Sequence, residues 1–145
     1  YNAIWLGDVL GRMIKNDVFM ANEWALTAKG GFGGLGLIGA LDLYPAYYTY
    51  QLYKKFGTEL VFSSSDDPDL SIYAALREDS ALTIMVINLS LEERTKAVQI
   101  AEQSQVRAET WLFDPAHKAE NMGIFALSGP ITFPPQSITL YVLQE

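Results

Sequence analysis

A chain of 145 residues holds one to one and a half ordinary domains, and its 50% hydrophobic content fits a packed globular protein, not a disordered one. The absence of cysteine excludes disulfides and thiolate metal sites, and no apolar run nears the roughly 20 residues that span a bilayer. A formal charge of −7 disfavours nonspecific nucleic acid and anionic membranes as partners.

The first residue is Tyr1, and no basic, apolar and small-residue pattern of a signal peptide follows. Helical spacing begins almost at once, so the chain reads as a piece of something longer. Leu6, Leu10, Met13 and Ile14 recur at helical spacing and predict a helix over residues 3–14. Gly7 and Gly11 share one face of it. Each costs about 1 kcal/mol relative to Ala, so a close neighbour is expected there, one that this chain does not itself provide. Asn16-Asp17 stops the helix. Val18-Phe19-Met20-Ala21 then reads as a short buried strand that ends in Asn22-Glu23-Trp24.

The stretch GGFGGLG follows. A phosphate loop would close with Gly-Lys-Ser/Thr, but Gly36 is followed by Leu37-Ile38. A dinucleotide fingerprint needs its acid on a later strand, and Asp42 comes too soon. A loop rimming a cleft, with Phe32 as a contact, and a plain surface loop both remain open. A second helix begins near Pro45, where proline suits the first turn. It runs to about Phe56, with Lys54 and Lys55 in the last turn and Gly57 as its C-terminal cap. Tyr47, Tyr50 and Tyr53 form a stripe on it that reads as amphipathic glue rather than a sugar platform.

From Thr58 the period changes. ELVFSSS, SIYAALR, LTIMVINLS, KAVQIA, RAETWLF, ITF and SITLYVL are short apolar or alternating runs parted by turn residues. Such a series predicts an antiparallel β-sandwich. Charge divides the chain at the same place: residues 1–57 sum to +1 and residues 58–145 to −8. The acidic residues are expected on solvated loops and edges. His117, the only histidine, lies in DPAHKAENMG, which reads as a polar turn between strands. Asp66, Asp67 and Asp69 lack the spacing of an EF-hand, so no metal site is expected from them. Trp111 sits mid-strand, where core burial is the plain reading.

In this order WLGDVLGRMIKNDVFMANEWAL, YYTYQLYKKFGTELVFSSSDDPDLSIYAAL, LTIMVINLS, WLFDPAHKAENMG and PPQSITLYVL resemble the C-terminal end of a clan of retaining glycoside hydrolases. These enzymes pair a (β/α)8 barrel with a C-terminal β-sandwich. The likeness is to family 44 endoglucanases and the related family 51 arabinofuranosidases and family 39 enzymes. It implies an α+β chain. Residues 1–57 would be the last helix–strand–helix segment of the barrel, with residues 18–24 as its eighth strand. Residues 58–145 would be a sandwich that braces the barrel.

The resemblance also implies a function. The complete protein would be an endoglucanase-like enzyme with a polysaccharide or oligosaccharide substrate, no cofactor, and secretion favoured over a cytoplasmic location. The two catalytic glutamates, after the fourth and seventh strands, would lie upstream of Tyr1, so no catalytic residue is expected in this chain. The upstream remainder of the barrel becomes an expected partner. Trp24 would stack on a sugar ring, Asn22 and Glu23 would bond hydroxyls, and Phe32 would be a further contact. Simple core burial is the alternative for Trp24. Glu23 is not expected to be the catalyst, because retaining enzymes need two carboxyl groups about 5–5.5 Å apart and none lies near it in sequence. A non-catalytic carbohydrate-binding or purely structural sandwich is the alternative for the whole chain. Binding would need exposed coplanar aromatics.

Overall fold

A computed structural model describes residues 1–22, 38, 42–101 and 106–144. Two helices, α1 (Asn2–Lys15) and α2 (Pro45–Tyr53), precede eight strands: β1 (Glu59–Val61), β2 (Leu70–Leu76), β3 (Leu82–Asn88), β4 (Arg94–Ala97), β5 (Arg107–Phe113), β6 (Glu120–Ala126), β7 (Pro130–Phe133) and β8 (Ser137–Gln144). Six strands form one sheet in the order β1-β2-β3-β8-β5-β6, and β4 pairs with β7 in a second. Every pairing is antiparallel.

The helices cover one face of the large sheet and the β4–β7 ribbon covers the other. On the helix side Ala3, Ile4, Leu52 and Phe56 meet Tyr73, Met85, Ile87, Ile138 and Leu140. On the ribbon side Phe133 packs with Leu70, Ile84, Val86, Tyr141 and Leu143. Successive residues of β3 therefore point into two different cores. That is why LTIMVINLS is an almost unbroken apolar run and not an alternating one. At the end of β3 the buried Asn88 amide donates to the carbonyls of Glu92, Phe133 and Pro134 and accepts from the Ser90 N–H. It ties β3 to the turn between β7 and β8.

Several expectations need correction. DPAHKAENMG is not all turn, because β6 begins at Glu120. This strand lies on the sheet edge, largely exposed, with Met122 as an extra residue between the pairs Trp111–Asn121 and Thr110–Gly123. Bulged, polar edges lack the hydrophobic alternation that marks inner strands. The fourth strand covers residues 94–97 rather than KAVQIA.

The buried positions of α2 are Ala46, Thr49 and Leu52, one step out of phase with the expected tyrosine stripe. Small residues at this seam let α1 approach, and the Thr49 hydroxyl donates to the Ala3 carbonyl at 2.9 Å. Tyr48 and Tyr53 flank the seam, with Tyr48 stacked on Phe113. Gly57 is not the helix cap. A Cβ there would collide with the Leu76 carbonyl, and its N–H donates to the Thr83 hydroxyl at 2.9 Å.

The two glycines of α1 have their close neighbour within the chain, contrary to expectation. A Cβ on Gly7 would come within 2.7 Å of Ile138 Cδ1, and one on Gly11 would enter the Tyr73 ring. The buried face of α1 is Ala3, Ile4, Gly7, Asp8 and Gly11, not the Leu6–Leu10–Met13 stripe, which stays half-buried.

Candidate functional site

Helix α1 ends in a built stop. The Val18 N–H reaches the Met13 carbonyl at 3.0 Å and the Asp17 N–H reaches the Ile14 carbonyl at 3.1 Å. Asp17 takes a left-handed φ of 54°. This is the Schellman arrangement, with aspartate where glycine is usual. Asn16 adds a side-chain bond to the Arg12 carbonyl, and Lys15 Nζ donates to the Ser63 carbonyl at 2.9 Å. The direction in which the chain leaves α1 is therefore fixed by its last turn and by a tie to the segment after β1.

What leaves is apolar and exposed. Val18 is 47%, Phe19 96% and Met20 64% accessible. The expected strand over residues 18–21 is not a strand here: among the described residues no ladder partner lies beside it. A strand needs neighbours for its backbone groups. Asn22, exposed at the end of this segment, is the one expected contact residue within the described structure. Glu23, Trp24 and Phe32 lie outside the described residues.

Asp8, His117 and the acids of residues 66–69 are engaged elsewhere. Asp8, 6% accessible, sits between α1 and β2. Its carboxylate accepts from the Tyr73 hydroxyl and from Arg12 Nε, each at 2.7 Å. Burial pushes its pKa up, but hydrogen bonds from Ser71, Tyr73 and Arg12 outweigh burial and hold it below the usual value. Among the described residues the partners of this carboxylate are hydroxyls and a guanidinium, which keep it ionised. His117 is paired with Asp114, Nδ1 to Oδ1 at 2.9 Å, and Asp114 also caps the backbone N–H groups of Ala116 and His117. The acids of residues 66–69 diverge: Asp66 meets Lys96, Asp69 meets Arg94, and Asp67 accepts the Asp69 N–H.

Trp111 offers no open face for a sugar. Trp111 is partly buried against the helix-side core, and Lys55 Nζ lies 3.8 Å over its ring, where a sugar would have to stack. A groove of about 750 Å³ opens on the ribbon side, but aliphatic residues such as Ile72, Ile84, Val98 and Ile100 dominate its walls. No helix among the described residues is long and apolar enough to cross a membrane.

No family model matches the chain, and no curated protein matches it. Solved structures do. A glycoside hydrolase family 30 endoxylanase from Clostridium papyrosolvens is similar with a TM-score of 0.78 and 15% identity, over 99% of this chain and 38% of its own. An α-L-arabinofuranosidase from Thermotoga maritima, in an arabinose complex, is similar with a TM-score of 0.74 and 20% identity, over 97% of this chain and 37% of its own. A conserved exported protein from Bacteroides fragilis gives 0.62 and 19% identity, over 97% and 34%. The chain spans well under half the length of these proteins. Over nearly all its own length, it has a fold found within these longer proteins, an endoxylanase and an α-L-arabinofuranosidase among them.

Proposed function

We propose that the chain is the C-terminal part of a secreted, retaining, polysaccharide-degrading glycoside hydrolase. In this reading residues 1–57 supply the last barrel segment and residues 58–145 a bracing sandwich. The observation that carries it is the apolar run at Val18, Phe19 and Met20, exposed after a firmly docked helix. A central parallel strand, apolar on both faces, would look this way once its neighbours are removed. The likeness to enzymes more than twice as long supports the same reading, and the exported neighbour supports secretion.

The upstream remainder of the barrel would pair with residues 18–24 and contribute both catalytic glutamates. Trp24, with Asn22, Glu23 and Phe32 beside it, would line the sugar cleft. The named neighbours are a xylanase and an arabinofuranosidase rather than cellulases, so xylan and arabinofuranosides stand ahead of the β-glucan implied by the family 44 resemblance. Bracing is favoured over carbohydrate binding for the sandwich, because Lys55 covers the Trp111 face.

Sequencing the gene on the 5′ side of the Tyr1 codon tests the reading. It should encode six or seven further βα units with two strand-end glutamates. In that complete protein Trp24→Ala should lower kcat/KM for xylan or an aryl arabinofuranoside by roughly tenfold or more, through lost sugar stacking, with an unchanged melting temperature. Wild-type kcat/KM in the variant, or an upstream sequence without such units, would refute it.

A further inference from the structure

We propose that Asp8 is a positioning residue, a buried carboxylate that latches α1 to strand β2 and thereby sets where residues 18–22 leave the molecule. The inference stands whether or not the chain belongs to a glycosidase, because every contact it uses lies within the chain.

Apart from Ile4, the apolar part of the buried face of α1 is made of small groups. Ala3, Gly7 and Gly11 bring little apolar area, so burial alone does little to fix the helix against sliding or rotation. Directional bonds supply what bulk does not. The Tyr73 hydroxyl donates to Asp8 Oδ1 at 2.7 Å across a sequence gap of 65 residues. The same hydroxyl lies 3.2 Å from the Asp8 carbonyl. From α2, the Tyr53 hydroxyl donates to the Gly7 carbonyl at 2.6 Å, one residue away. These bonds gather at the middle of α1, half a helix before the Schellman turn that launches residues 18–22. A rigid helix held at that point, and again where Lys15 meets the Ser63 carbonyl, can leave the sheet in one direction only.

The groups that face Asp8 are Arg12 on its own helix, Ser71 and Tyr73 on β2, and Tyr53 on α2. Burial, together with the charge of Asp8, pushes both phenols well above their ordinary values, so they remain neutral donors throughout the acid range. Arg12 stays charged. Of these groups only Asp8 changes charge between neutrality and acid. Its folded pKa lies below the unfolded value of about 3.9, so its contribution is complete above that pH and is lost as pH falls through the folded pKa.

Amide hydrogen exchange on the 145-residue chain, corrected for intrinsic rates, tests the latch. In the wild type, protection of α1 should hold from neutrality down to about pH 4 and fall as the pH drops further, through the folded pKa of Asp8, while β3 and β8 hold theirs. Asp8→Asn should speed α1 exchange roughly tenfold at neutral pH, as expected for losing a charged hydrogen-bond acceptor, and should abolish the acid dependence. Tyr73→Phe leaves the carboxylate but removes one bond to its charged form, so α1 should loosen at a higher pH than in the wild type. An acid-independent wild-type α1, or an Asp8→Asn chain with wild-type α1 protection, would overturn the proposal. Uniform loss of protection from helix and strands in both variants would also overturn it, since Asp8 would then be a general stability contact.

Discussion

The two faces of the central sheet are covered in different ways. On the ribbon side large apolar groups make the core, with Phe133 at 2% accessibility among Val86, Tyr141 and Leu143. On the helix side the closest contacts are made by residues that are nearly absent as side chains: Gly7 against Ile138 and Gly11 against Tyr73. Both faces have bulk, but on the helix side α1 is seated by close approach and directed hydrogen bonds as well. A contact held by volume suffers most when atoms are removed, and one held by close approach suffers when atoms are added.

That contrast can be broken at the ribbon side with the largest effect. Phe133→Ala should lose about 3–5 kcal/mol through lost transfer energy and a cavity, read as a fall in the urea midpoint at constant slope. A loss well below this range would mean that the ribbon collapses onto the gap. On the helix side, Gly11→Ala is the sharper probe. In an exposed helix it would gain about 1 kcal/mol. Here the added methyl enters the Tyr73 ring, and we expect a net loss of about 1–3 kcal/mol as the helix or the ring shifts. Net stabilisation in urea would show that the seam is looser than its geometry. The smallest effect belongs to a residue that neither face uses. Phe19→Ser should change the stability of this chain by no more than about 0.5 kcal/mol, because Phe19 is 96% accessible. In a complete barrel the same change should be costly, and comparing the two measures how much of residues 18–22 is buried by other polypeptide.

How far the architecture could be read from sequence follows from the same physics. Strands β3 and β8 were legible because both their faces are buried, which leaves a dense apolar run bounded by turn residues. Helix α1 and its stop were legible from period and from Asn16-Asp17. Strand β6 was hidden, since an exposed, bulged edge carries the residues of a loop. The phase of α2 was misread because tyrosines outrank Ala46 and Thr49 on any hydrophobicity scale, yet close helix approach selects the small residues. The bond between Asp8 and Tyr73 had no local signal, being made by residues 65 apart. Of the expected sugar-contact residues, Asn22 alone lies among the described residues, exposed at the end of an apolar segment. The exposure of that segment depends on what does or does not pack beside it, which no local pattern reports.

The pairing of Gly7 with Ile138 has a consequence for the order in which the molecule is made. In chain order α1 is made well before β8, yet the surface that receives it includes β8. At about 5–20 residues per second, the helix waits on the order of ten seconds for its seat. Ile4 apart, its buried face of small residues loses little by standing in water meanwhile, whereas a leucine-lined face would invite aggregation. The glycines that let α1 fit closely at the end also keep it inconspicuous at the start.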